Sequence, residues 1–145
     1  PLIGDGSEEE PWRVSRWPFT HMSATTNDAP STSDTYHFEG REVTREGAER
    51  VYLFELRERS RFVARVIRRR QVGLDIFLLR DGATGERTPL VAHGTAVDVE
   101  LAAGRYRLIV DGHRRRAGGY LMVADVPEAS RELLAWPRAR QRRSR

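Results

Sequence analysis

The chain has 145 residues, 39% of them hydrophobic and 32% charged, with a formal net charge of +4. That is one domain's worth of chain, long enough to bury a core. It holds no cysteine, which excludes disulfides, thiol catalysis and cysteine metal sites, and no apolar run approaches the ~18 residues of a membrane span.

All 25 basic residues are Arg. Arg binds phosphate and carboxylate in a bidentate fork, which Lys does not. A GC-rich genome gives the same bias through its codons, and the spread of Arg along the whole chain favours that reading. The last eight residues, Arg138 to Arg145, hold five Arg and no acid.

Residues 1–16 read as a linker or strap. Gly4, Gly6, the acidic run Glu8 to Glu10 and Pro11 show no periodicity. Trp12 and Trp17 are the exceptions, able to anchor the strap over a sheet edge. The charged start is the wrong chemistry for a secretory signal, and a start at Pro1 without Met fits a mature or excised piece.

Residues 17–126 read as one β-domain. Trp17 to Met22 is apolar enough to touch the core, and Thr25 to Ser33 is turn chemistry. Asp34 to Phe38 is a short strand, and Gly40 to Gly47 a charged connection. Val51 to Leu56 puts Tyr52, Phe54 and Leu56 on one face. Arg61 to Ile67 follows a polar turn. Gly73 to Leu79 turns Leu74, Ile76 and Leu78 inward and Asp75 outward, with Phe77 out of phase: it covers the other side of that sheet or marks a binding surface. Leu90 to His93 is a weak strand, and Thr95 to Leu101 points Val97, Val99 and Leu101 inward.

The most regular stretch is Leu101 to Gly112. Tyr106, Leu108 and Val110 share one face; Arg105, Arg107 and Asp111 share the other, with Ile109 the one apolar residue among them. Asp111-Gly112 is a pair favoured in tight turns. Gly118 to Val123 then reads as the return strand of a hairpin. In residues 127–145, Glu128 to Trp136 reads as a short helix, ended by Pro137 and followed by the Arg tail. About eight short strands with close turns predict an all-β fold, an antiparallel β-sandwich.

The runs VYLFEL (51–56), LDIFLL (74–79), LAAGRYRLIVDG (101–112) and GGYLMV (118–123), in that order and spacing, resemble the bacterial pre-peptidase C-terminal domain family. The lead-in from Pro18 to Phe38 resembles that of a GC-rich bacterial subset. The resemblance covers roughly residues 17–125. It implies a small jelly-roll-like sandwich attached to secreted hydrolases, often peptidases or cell-wall enzymes. It also implies an accessory role rather than a catalytic one, and a secreted, periplasmic or cell-surface location. Relatives include the collagen-binding domains of bacterial collagenases, some of which bind calcium near their N-terminal segment.

No catalytic motif appears. His21, His37, His93 and His113 are scattered, without a nucleophile elbow, a zinc-binding helix or a phosphate loop. Two groups of residues have binding chemistry. Asn27, Asp28 and Asp34 offer oxygen ligands for calcium, or else close turns with their own backbone. Arg68, Arg69 and Arg70, with Arg114, Arg115 and Arg116, make an anion-binding cluster if their two loops meet at one end, and solvated loops otherwise. No aromatic residues are interleaved with these Arg, which argues against nucleic acid.

The expected function is therefore a non-catalytic module that attaches a secreted hydrolase to its substrate or surface, or aids its folding and export. Its partners would be peptidoglycan, an extracellular protein or polysaccharide, or the linked hydrolase domain, with the chain a monomer. The alternative is a binder of anionic polymers through the Arg loops and tail.

Overall fold

Alternating apolar residues build two facing sheets. In the computed structural model, which describes residues 2–25, 35–38, 41–44, 49–68, 73–81, 90–112 and 118–129, eleven strands account for most of the described residues. They are β1 (Trp12–Val14), β2 (Phe19–Thr25), β3 (Thr35–Phe38), β4 (Arg41–Thr44), β5 (Glu49–Leu56), β6 (Ser60–Arg68), β7 (Leu74–Arg80), β8 (Leu90–Gly94), β9 (Ala96–Leu101), β10 (Gly104–Gly112) and β11 (Gly118–Asp125). One sheet runs β1-β5-β10-β7-β8 and the other β2-β11-β6-β9, while β3 and β4 pair only with each other. The expected all-β sandwich is the observed architecture.

The main core lies between the sheets. Tyr52, Phe54 and Leu56 of β5, Leu74, Ile76 and Leu78 of β7, and Tyr106, Leu108 and Val110 of β10 are all buried. They meet Phe62, Ala64 and Val66 of β6 and Tyr120, Met122 and Ala124 of β11. Phe54 and Phe62 stack across the layers with centroids 4.7 Å apart, and Tyr106 stacks on Phe54 from the next strand at 5.5 Å. The Tyr106 hydroxyl donates to Ala102 O at 2.7 Å, which pins the turn into β10.

The final strand pair is not a hairpin. β10 pairs with β5 and β7, while β11 pairs with β2 and β6, so the two strands lie in opposite sheets. Asp111 and Gly112 do not form a turn either. Asp111 is 1% exposed and sits in the middle strand of three, opposite Glu49 on one side and Asp75 on the other. Turn chemistry is local, whereas the choice of sheet is set by which face each strand must bury. Tyr106 and Tyr120 both point into one core, and a sandwich gives them opposite walls.

Two further expectations change. β1 pairs with β5 in parallel, matching Trp12 to Tyr52 and Val14 to Phe54. Three intervening strands carry the chain between them, long enough for a parallel crossover. The stretch 41–44, read as a connection, is a strand paired with β3. The strap before β1 lies along the same edge. Gly6 O accepts a 2.8 Å bond from Val51 N. Gly6 itself has φ +82°, and an added Cβ would stand 2.7 Å from the Trp12 ring. At the C-terminus, residues 127–129 form a helical turn with Ala129 against the core; residues 130–145 lie outside the described residues.

Candidate functional site

The outer faces of the two sheets differ. On the five-stranded sheet, the out-of-phase residues Phe77 and Ile109 join Val51, Leu79 and Leu90 in a second buried cluster. Phe77 is fully buried, with His93 stacked on it at 5.8 Å, so it covers that sheet and is not a binding surface. Beside the cluster, Arg107 spans Glu8 and Asp81 at 2.8 Å each and ties the N-terminal strap across the sheet.

On the four-stranded sheet the outer face is open. Met22 is 79% exposed and Ile67 48%. Both are in register with the half-buried Leu121 between them, so three adjacent strands carry one apolar row. The next row on β11 places Val123 between Thr20 and Arg65, and Val63 follows on β6 opposite Asp98. The β9 side is charged. Arg61 grips Asp98 in a two-pronged contact of 2.8 and 2.6 Å, which raises the guanidinium pKa and lowers that of the carboxyl. Arg59 stands 3.6 Å from Glu100. An apolar centre with a polar border is the usual make-up of an interaction surface.

A polar chain closes the side edge where β2 meets β5. His21 Nδ1 is 2.7 Å from the Tyr52 hydroxyl, which is 2.9 Å from the Tyr120 hydroxyl. Trp12 packs edge-on to His21 at 4.3 Å, and Phe19 lies 5.7 Å from Tyr52. Burial lowers the His21 pKa and raises that of Tyr52 far above its ordinary value, with the neighbouring Tyr120 adding to it. Burial also pushes Tyr120 up to about 12, against hydrogen bonds with Tyr52 and Ser23 that pull the other way. Both phenols stay neutral at ordinary pH. The imidazole meets a phenol where a hydrolytic triad would place an orienting carboxylate. Geometry of this kind locks two sheets together. Sequence reading missed it, because the partners lie 31 and 68 positions apart; the signal was a His and two Tyr on inward-facing positions.

The residues singled out from sequence lie mostly beyond what is described. Asn27, Asp28 and Asp34 fall outside the described residues, as do Arg69, Arg70, Arg114, Arg115 and Arg116. Arg68 is described: it is half-buried, and its Nε donates to Leu74 O at 2.8 Å. The strand ends that flank these stretches are paired. Leu74 lies opposite Gly112, Arg68 opposite Tyr120, and Thr25 opposite Gly118. The strand ends at Thr25, Arg68, Leu74, Gly112 and Gly118 therefore lie at one end of the fold. Among the described residues, no three metal-binding side chains come together.

No known protein family matches the sequence, and no curated protein matches it. Solved structures do. The pre-peptidase C-terminal domain of a Bacillus anthracis collagenase is similar over 78% of this chain and 92% of that one, with a TM-score of 0.53 and 13% identity. PliG from Aeromonas hydrophila, a periplasmic inhibitor of g-type lysozyme, is similar over 79% of this chain and 93% of that one, with a TM-score of 0.57 and 9% identity. At such identities the likeness is one of fold, and it is the fold that the strand runs led us to expect.

Proposed function

We propose that this chain is a non-catalytic binding module of a secreted or periplasmic bacterial protein, working through the open face of its four-stranded sheet. One observation carries the reading: the row Met22–Leu121–Ile67 is apolar and accessible, whereas the equivalent outer surface of the other sheet is buried. A collagenase domain and a lysozyme inhibitor of the same fold support a role exerted by contact, outside the cytoplasm. The partner is an insoluble wall polymer, an extracellular protein or polysaccharide, or a linked hydrolase domain. Tethering of this kind raises the effective concentration of an enzyme at its substrate without altering its active site.

The test is cosedimentation of the chain with insoluble peptidoglycan, collagen and chitin, at low and high salt and with a calcium chelator. Retention on one polymer in high salt, lost in Ile67→Lys, is the expected result. Loss with chelator would add calcium, held by Asn27, Asp28 and Asp34. Full retention by Ile67→Lys contradicts the reading, and absence of retention on all three removes these polymers and leaves a linked hydrolase domain as the partner.

A second reading has its own observation. The stretches carrying Arg69–Arg70 and Arg114–Arg116 leave the sandwich from paired strand ends, which favours one anion-binding end built from both. That reading expects binding to every anionic polymer at low salt and steep loss as salt rises.

A further inference from the structure

We infer that Met22 is an oxidation site, and that its sulfoxide makes the open face of the four-stranded sheet polar and weakens its contacts, a step that matters to function only on the reading of that face as the contact surface. The chain carries sulfur at two positions, because it has two methionines and no cysteine. The fold treats the two in opposite ways. Met122 is fully buried in the core between the sheets, in register with His21 of β2 and Val66 of β6. Met22, one strand away, is 79% exposed.

Alternation along two paired strands produces the difference. Successive side chains of a strand point to opposite faces, so His21 turns in towards Tyr52 and Met22 turns out. The outward neighbours of Met22 on β2 are Thr20 and Ala24, both too short to cover a thioether. On β11 they are Leu121, directly opposite, and Gly119. Gly119 has no side chain, and an added Cβ there would meet nothing nearer than Ser23 O at 3.9 Å. The Met22 thioether is therefore open to a small oxidant, whereas that of Met122 is reached only when the core opens. The oxidant is a peroxide. The sulfur attacks the O–O bond of hydrogen peroxide, one oxygen stays on sulfur as S=O, the other leaves as water, and the sulfur loses the two electrons that the peroxide gains. A dithiol reductant reverses the step, becoming a disulfide while the oxygen leaves as water. The sulfoxide is polar, so burying it against an apolar partner costs what burying the thioether does not. Met22 ends the row Met22–Leu121–Ile67, which then keeps two apolar side chains in place of three. The core is untouched, because the Met22 side chain lies outside it.

Treatment of the full chain with hydrogen peroxide, followed by peptide mass spectrometry, should add one oxygen at Met22 at least about tenfold faster than at Met122. In denaturing urea the two rates should converge. The chain oxidised at Met22 should keep its urea midpoint, yet elute earlier than the untreated chain from butyl-agarose, an aliphatic probe of the open face. It should also be retained several-fold less on the polymer that holds the untreated chain in high salt. Met22→Leu, with no sulfur at that position, should elute at the same point before and after the same treatment. Equal rates at the two methionines of the folded chain overturn the inference, as does a Met22 sulfoxide that elutes from butyl-agarose, or is retained on the polymer, as the untreated chain is. An untreated chain that binds no polymer bears on the identity of the contact partner alone, since the mass and elution readouts decide the oxidation site without it.

Discussion

The two sheets of this sandwich have opposite outer surfaces. Both bury their inner faces in one core, yet the five-stranded sheet also buries Val51, Phe77, Leu79, Leu90 and Ile109 on its outside. The four-stranded sheet leaves Met22 and Ile67 in solvent. A residue such as Ile67 gains little from the fold it belongs to, because exposed apolar area forgoes ~25 cal/mol per Å² of burial. Residues grouped in that condition, in register across three strands, mark the surface available for contact. The contrast separates positions that hold the fold from positions free to bind.

The largest expected effect lies on the closed side. Phe77→Ala should cost ~3–5 kcal/mol in a urea titration, because a fully buried ring leaves a cavity that packed strands fill poorly. A cost below ~1 kcal/mol would mean that the cluster is not packed. Tyr106→Ala, in the inner core, should cost a similar amount and serves as the standard for comparison.

The edge joining the sheets should respond less. Tyr52→Phe keeps the ring but removes the hydroxyl that joins His21 Nδ1 to the Tyr120 hydroxyl, for a loss of ~1–3 kcal/mol. His21 adds a pH dependence whose sign is fixed. Its folded pKa lies below the ordinary 6.5, so the unfolded chain binds the proton first. Its contribution is full above that value and declines as pH falls through it. The stability gap between the unmodified chain and His21→Asn should therefore shift against the unmodified chain between pH 7.5 and 5.5, in paired denaturation curves. An unchanged gap would remove His21 from the edge lock.

The smallest stability effects belong to the open face. Met22→Ser and Ile67→Ser should each change stability by less than ~0.5 kcal/mol, while weakening retention on whichever polymer the chain binds. A large loss of stability from either would mean that this surface is structural.

Much of this contrast could be read from the chain. Period-two alternation in β5, β7 and β10 gave the inner faces correctly, and the two misfits, Ile109 and Phe77, turned out to be neighbours in register on the outer face. The open row was harder to see. Met22, Ile67 and Leu121 occur at unremarkable positions in three separate strands, and only the pairing of β11 with both β2 and β6 aligns them. The same dependence on distant pairing explains the hairpin that did not form. Asp111-Gly112 carries a turn signal that any local reading accepts, but its neighbours in space are Asp75 and Leu74, set by β7. β1 has too few residues to show alternation at all, and its place comes from Trp12 and Val14 packing on the core. The expected calcium and Arg residues fall almost wholly outside the described residues, apart from Arg68.

The most direct test of the contrast is to place one charge on each outer face. Ile109→Lys and Ile67→Lys should be compared by urea denaturation under identical conditions. Ile109 is 2% exposed, so a Lys there forces a charge into an apolar cluster and should cost several kcal/mol or prevent folding. Ile67→Lys should fold with a midpoint close to that of the unmodified chain. Similar losses in the two variants would contradict the claim that one outer face is closed and the other open.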